Sequence, residues 1–477
     1  MKSLKKNYFY NLVYTVVNMI FPLITAPYLS YILGAENIGK VNYATSIVTW
    51  FTLFAAFGIP RFGIREIAKN RDDRKKLSSS FWNLIFIQTI LSSIAIIIYL
   101  VLVLNVQSLQ QERTLYLLMV IMIILNIFSI DWFYQGIEEY GYITIRNIIF
   151  KVISIVLIFV MIKEKDDYIF YALINIFGLS FNNVLNYISA QKHIDKKIYE
   201  FKTFNYLKQL KVYFMTTLVI ALYTQLDQTF LGSISEKDLA YYLRSKTVLG
   251  VGFSVVNSAV TIFIPRVAYL AKNNYEEYKN IIEKSINYIY LLALPCVVGI
   301  FTLAKEIMIF LGGVEFIEAK YSLMIISCLC LLTSIGAWQV NQVLLPNGKE
   351  KLALKIQSTV AVLSIILNII LIPRYTHIGA AIAWTISECV LTILEAIFIR
   401  KEIKTLKIKY LTSSFIKYLL AVVMMGISIV IIKTFITNYI LVIGVSLVVA
   451  PIIYFGMIII LKDKIVLEGI NQILKNK

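Results

Sequence analysis

Apolar runs of about twenty residues, each bounded by charged clusters, recur along the whole chain. An apolar helix of roughly 20 residues spans the hydrocarbon core of a bilayer. The runs predict fourteen such helices, over approximately 8–32, 41–66, 79–104, 114–135, 146–162, 168–190, 212–233, 240–264, 286–304, 321–345, 353–373, 378–399, 413–433 and 439–461. Pro22, Pro27, Pro60 and Pro295 interrupt several of them, which membrane helices tolerate when neighbours satisfy the freed backbone groups. The first run reaches Ile32, too far for the core of a signal peptide, and reads as an uncleaved first span. The longest polar connections, near 191–211 and 265–285, leave no room for a catalytic domain outside the membrane.

Lys and Arg concentrate at the termini and in every second connection, among them Lys69, Arg71, Arg74, Lys75, Lys76 and the run from Lys192 to Lys211. The positive-inside rule then places both termini in the cytoplasm.

A faint repeat crosses this pattern. Ile59-Pro60-Arg61 closes the second predicted helix and is followed by Ala68-Lys69-Asn70; Ile264-Pro265-Arg266 closes the eighth and is followed by Ala271-Lys272-Asn273. Leu33-Gly34 and Leu231-Gly232 likewise end the first helix of each half. The expected fold is therefore an all-α integral membrane protein with 14 spans. Two six-helix lobes, residues 1–211 and 212–409, precede a terminal helix pair with its tail, 410–477. Six helices per repeat is an even number, so the pseudo-two-fold axis relating the lobes runs along the membrane normal.

Composition strengthens this reading: 59% of the residues are hydrophobic and 16% charged, against about 45–50% and 25% in soluble domains. Forty-six Lys and Arg against 28 Asp and Glu give a net charge of +18. Topology accounts for that excess, so nucleic acid is not an expected partner. Cys296, Cys328, Cys330 and Cys389 lie in apolar segments without a CxxC spacing, and His193 and His377 fall in distant segments that read as loops. No metal and no cofactor is expected. Gly34 to Val41 has the spacing of a phosphate-binding loop, but Val41 stands where magnesium needs a hydroxyl.

Polar positions at helical spacing mark faces turned from lipid: Asn11, Thr15, Asn18 and Thr25; Asn42, Thr45, Ser46, Thr49 and Thr52; Thr217, Thr224 and Gln228; Lys246, Ser254, Asn257 and Thr261. Their recurrence on repeat-related helices implies a wet cavity between the halves. Charges at membrane depth are costly and face water or a partner. The basic ones are Lys151, which shares a face with Asn147 and Ser154, Lys246 on its polar stripe, and Arg61, Arg244 and Lys417, the last near a helix end. The acidic ones are Asp131, Asp227, Glu388 and Glu395; Asp227 and Glu388 read as ion-pair or coupling residues, and the face that Glu388 shares with Thr392 and Glu395 reads as a proton or sodium path.

Several stretches resemble the bacterial oligosaccharide flippases of the Wzx type, within the superfamily that also holds multidrug extruders and peptidoglycan-precursor flippases. They include Pro22-Leu23-Ile24-Thr25-Ala26-Pro27-Tyr28-Leu29, Phe57-Gly58-Ile59-Pro60-Arg61-Phe62-Gly63, Asp131-Trp132-Phe133-Tyr134-Gln135-Gly136, Leu226-Asp227-Gln228, Tyr242 to Lys246 and Leu345-Pro346-Asn347-Gly348-Lys349. Asn368 to Tyr375 with Ile378-Gly379-Ala380-Ala381 completes the set, and Thr376-His377 departs from the glycine usual before Ile378.

The resemblance implies no enzyme. It implies alternating-access export of undecaprenyl-pyrophosphate-linked oligosaccharide to the outer leaflet of the bacterial cytoplasmic membrane, for capsule, exopolysaccharide or O-antigen. The expected partners are that lipid-linked substrate, membrane lipids, a polymerase and glycosyltransferases. The cavity would use Lys151, Lys246, Arg61, Arg244, Asn18, Asn42 and Asn257. A cation-coupled multidrug antiporter of the same fold is the rival expectation.

Overall fold

The computed structural model describes residues 4–196, 200, 203–403, 406 and 408–468, with the side chains of 4–16, 18, 19 and 259 outside the description. Asn11, Thr15 and Asn18 of the first polar stripe therefore lie outside the described side chains. Every regular element among the described residues is helical. The chain divides into two compact units, residues 1–240 and 241–477.

The first unit holds α1 (Leu4–Ala56), α2 (Ile59–Asn70), α3 (Arg74–Asn105), the short α4 (Gln107–Gln110), α5 (Arg113–Asn126), α6 (Asp131–Gly136), α7 (Tyr140–Met161), α8 (Tyr168–Ile176), α9 (Asn182–Ala190), α10 (Thr203–Thr224) and α11 (Leu226–Ile234). A π-helical turn, Phe177–Phe181, joins α8 to α9. The second unit takes up most of α12 (Glu236–Asn273), then α13 (Tyr275–Thr302), α14 (Ala304–Gly312), α15 (Ala319–Ile326), α16 (Leu329–Trp338), a second π turn (Gln339–Leu344), α17 (Glu350–Glu402), α18 (Ser413–Phe435) and α19 (Tyr439–Ile460).

Eleven segments are long and apolar enough to cross a membrane by length and composition. At 1.5 Å per residue, the 53 residues of α1 or α17 would reach about 80 Å, more than twice a bilayer core of about 30 Å. Both helices break at a single residue: α1 at Gly34 (φ 74°, ψ 174°) and α17 at Thr376 (φ 46°, ψ −123°).

The connection expected over 33–40 thus shrinks to one residue and the rest of it is helical. The expected helix over 41–66 is divided instead at Phe57 and Gly58, both with positive φ. Gly58 is needed there, because a β-carbon would come within 2.6 Å of the Phe214 nitrogen. The helix expected over 212–233 breaks at Gln225, between α10 and α11. His377, expected in a loop, is buried and helical directly after the α17 break.

Side-chain caps fix several helix starts: Asp73 on α3, Asn274 on α13, Thr412 on α18 and Asn438 on α19. Large apolar side chains such as Val156, Ile369 and Val448 face outward, as a lipid-facing surface requires. Among the described residues of the first unit two separate apolar clusters stand out. One cluster gathers round Phe81, Trp132, Phe133 and Tyr134, the other round Tyr99, Leu115, Met119 and Ile123. Leu125 belongs to one and Ile130 to the other, so the segment between them crosses the gap.

Candidate functional site

A cavity of about 280 Å³ opens along that segment, lined by Asn126, Ser129 and Asp131, by Asn147 and Lys151 of α7, and by Ser180, Asn182 and Asn183 around the π turn. The helical ladder is interrupted at residues 127–130, which frees carbonyls for side chains. Asn183 Nδ2 donates to the Leu125 carbonyl at 3.5 Å and Trp132 Nε1 to that of Ser129 at 3.1 Å. On the opposite wall the π turn widens the helix and puts an extra residue in its circuit. Gly178 allows that turn to approach α7, since a β-carbon there would stand 2.6 Å from the Ser154 oxygen.

The charges of the site are arranged in one direction. Arg146 Nη2 lies 3.4 Å from Asp131 Oδ1, which also accepts a 2.6 Å hydrogen bond from Asn186 Nδ2. The Arg146 guanidinium packs 5.3 Å from the centre of the Tyr142 ring. Lys151 Nζ lies 5.3 Å from the centre of the Phe21 ring.

Two bases thus stand against one carboxylate. Arg146 is 6% exposed, and its Nε and Nη1, with Asn182 Oδ1 and Asn186 Oδ1, have no hydrogen-bond partner among the described residues. Leaving a buried polar group unpaired costs about 1–3 kcal/mol; of these groups only Asn182 lines the cavity, so its amide oxygen is the acceptor there that a ligand's donor can satisfy. The arrangement suits an anion with hydroxyls attached. Among the described residues no group of three His, Cys, Asp or Glu could hold a metal ion.

The structure therefore brings together Lys151, Asn147 and Asp131 among the residues singled out from sequence. Ser154 is turned toward Gly178, with its hydroxyl on the Phe150 carbonyl at 2.8 Å. Arg61 is exposed on the first turn of α2, and Asn42 is half-buried on α1, neither lining the cavity. Asp227, buried in the first turn of α11, accepts from the Gln228 backbone N–H at 2.8 Å.

In the second unit Lys246 Nζ sits over the rings of Trp384 and Tyr242, at 4.8 and 5.2 Å from their centres, and Arg244 sits 5.2 Å from that of Phe316. Asn257 is half-buried on α12, and Glu388 is buried on α17. Lys417, near the start of α18, donates to the Lys462 carbonyl at 3.0 Å.

Arg146 was not visible as a site residue in the sequence. The span there was expected to begin at residue 146, where a base reads as an interfacial anchor, whereas α7 begins at Tyr140. Starting the helix a turn and a half earlier draws Arg146 into the interior.

Residues 4–271 match the family described as polysaccharide biosynthesis protein, more than half of the chain. The chain belongs to that family. Membership bears out the resemblance to Wzx-type flippases read from the sequence. The chain is 26% identical over 412 residues to the "Putative O-antigen transporter" of Escherichia coli (strain K12), covering 84% of this chain and 97% of that one. To the capsular polysaccharide biosynthesis protein CapF of Staphylococcus aureus it is 24% identical over 372 residues, covering 74% and 89%. The fold is shared with the lipid II flippase MurJ in its inward closed conformation, with a TM-score of 0.73 at 15% identity, covering 94% of this chain and 97% of that one.

Proposed function

We propose that this chain is a flippase that carries undecaprenyl-pyrophosphate-linked oligosaccharide repeat units from the inner to the outer leaflet of the bacterial cytoplasmic membrane, for a surface polysaccharide of the capsule, exopolysaccharide or O-antigen type. The observation that carries the proposal is the amide-rich cavity with Lys151 and the Arg146–Asp131 pair, set within the membrane-spanning bundle of a polysaccharide-biosynthesis protein. Its volume of about 280 Å³ falls below the usual 300–1,000 Å³ of drug-sized pockets. That size suits a charged head group with its first sugar and not a whole repeat unit. The lipid tail then stays among acyl chains.

Fourteen spans follow if the breaks at Gly34 and Thr376 are connections and α10 with α11 is a span. The repeats would run over 1–211 and 212–409, with 410–477 as the terminal pair and both ends in the cytoplasm. Lys246 offers a base in the second unit. Arg61, Arg244, Asn42 and Asn257 are proposed helpers in moving the substrate, and Asp227 a helper in coupling. With an inside-negative potential, each negative charge moved outward gains about 2.3 kcal/mol per 100 mV, so export runs without ATP and alternating access needs no catalytic step. Polymerase and glycosyltransferases act beside it.

The test is export of lipid-linked glycan in cells carrying Lys151→Ala, Lys246→Ala and both. Export reduced at least tenfold in the double variant, at unchanged protein level, is expected. Wild-type export in that variant overturns the anion-site assignment.

A further inference from the structure

A groove of about 570 Å³ runs along the end of α17, on elements that the Lys151 cavity does not use. One wall is α17 itself, where Ile393, Ile397 and Arg400 follow one another on a single helical face. The other wall is the connection that follows the helix, from Ile408 to Leu411. Ala396 lines the groove as well, and its small side chain leaves the space open.

Residues 408–411 lie outside any helix, yet that wall is fastened to the bundle at Tyr410. The Tyr410 carbonyl accepts from the Tyr290 hydroxyl at 2.8 Å, and its own hydroxyl accepts from the amide of Gln339, in the π turn after α16, at 3.0 Å. The Tyr410 ring meets that of Trp338 edge-on, with centres 6.0 Å apart, and the Arg400 guanidinium packs 5.8 Å from its centre. Side chains from α13, α16 and the π turn thus hold the groove open before any ligand arrives. Its lining carries two bases, Arg400 and Lys409, both exposed, and no carboxylate. Glu402, in the last turn of the same helix, is engaged by Lys349 at 3.0 Å, and Glu395 is fully buried.

The rest of the lining is apolar and open: Ile393 is 58%, Ile397 54% and Leu411 77% exposed. Around a membrane-spanning helix such side chains are covered by acyl chains, while bases at its end reach the head-group level. An apolar stretch that leads into an uncompensated basic end matches an amphiphile with hydrocarbon chains and a negative head. We propose that this groove binds one anionic glycerophospholipid of the surrounding leaflet, its phosphate held by Arg400 and Lys409 and one acyl chain laid along Ile393, Ile397 and Leu411. On the sidedness proposed above, that leaflet is the cytoplasmic one. The bound lipid ties the end of α17 to the connection leading into α18. The inference needs only that α17 spans a membrane, whatever the protein carries, so its failure leaves the flippase reading standing.

The experiment titrates phosphatidylglycerol or phosphatidylcholine into the purified full chain in detergent and reads the first lipid bound by native mass spectrometry. A base near the membrane surface is worth about fivefold in affinity for an anionic lipid, so wild type is expected to take phosphatidylglycerol at least tenfold more tightly than phosphatidylcholine. Arg400→Gln with Lys409→Gln removes that preference. Lys351→Gln with Lys355→Gln, which removes the same charge from exposed positions near the start of α17, keeps it. Ala396→Trp fills the groove with both bases in place and weakens phosphatidylglycerol at least tenfold. Equal affinity for the two lipids in wild type, a preference that survives in the Arg400 and Lys409 variant, or one lost equally in the Lys351 and Lys355 variant overturns the proposal. Displacement of the lipid by glycerol phosphate, which has the head but no chains, overturns it too and assigns the bases to a free phosphate. Arg400 and Lys409 are exposed, so their variant remains informative if Ala396→Trp fails to fold.

Discussion

Asp131 is the counter-charge of Arg146, 3.4 Å away, and is steadied by the 2.6 Å hydrogen bond from Asn186. Asp131→Asn keeps an acceptor for Asn186 but leaves the buried guanidinium unopposed. Breaking one side of a buried pair costs about 3–5 kcal/mol, and the Asp131 side chain is 35% exposed, so about 2 kcal/mol is expected here. The variant unfolds at a lower temperature than wild type. Asp131→Asn with Arg146→Gln recovers much of the loss, because contacting sites are not additive. Thermal unfolding of both variants in nanodiscs checks this; equal midpoints for the single and double variants count against the pairing.

The π turn depends on the absence of a side chain at Gly178, where a β-carbon meets the Ser154 oxygen at 2.6 Å. Gly178→Ala is expected to cost about 1–3 kcal/mol, as overpacking does, and to depress export by pushing the turn from α7. Removing the obstructing hydroxyl in Gly178→Ala with Ser154→Ala restores part of both. Export and unfolding midpoint, read side by side, decide it.

Thr376 is a β-branched residue at φ 46°, ψ −123°, a conformation that side chains resist. Such strain costs about 1–3 kcal/mol. Thr376→Gly is therefore expected to raise the unfolding midpoint, with the α17 break unchanged. A lower midpoint contradicts the strain.

Asp73, in the turn between α2 and α3, accepts from the backbone N–H groups of Lys76 and Lys75 and pairs with the Lys76 ammonium at 3.2 Å. The Lys76 backbone N–H, then its ammonium, hold the Asp73 carboxyl below the usual aspartate range. A carboxyl lowered on folding contributes stability above its unfolded pKa of about 3.9, and loses it as pH falls through the lower folded value. The midpoint difference between wild type and Asp73→Ala should hold steady from about pH 8 to 5 and narrow below about pH 4. A difference that persists at acid pH assigns the effect to something other than the carboxylate.

The site was legible in sequence where a charge was out of place. Lys151 stands in an apolar run with Asn147 one turn before it, and both line the cavity. Hydroxyl stripes were less informative. Thr45, Thr49, Thr217, Thr224 and Ser254 each donate to a carbonyl four residues back in their own helix, so their presence does not require water. Gln339 gave no signal, because an amide in an apolar stretch looks alike whether or not both its ends are satisfied. The break after Leu33 was readable, since glycine takes positive φ without strain. The one at Thr376 was not, because threonine resists it. That geometry also gives a reason for the glycine usual before Ile378.

The breaks at Gly34 and Thr376 each occupy one residue, with helix on both sides. Such a joint offers no slack for a protease, an antibody or an inserted epitope to grip without unwinding the flanking turns. Reporter fusions for mapping sidedness belong at extended, exposed connections such as Thr437 between α18 and α19. Silence from a tag at either joint would speak of its tightness and not of its side.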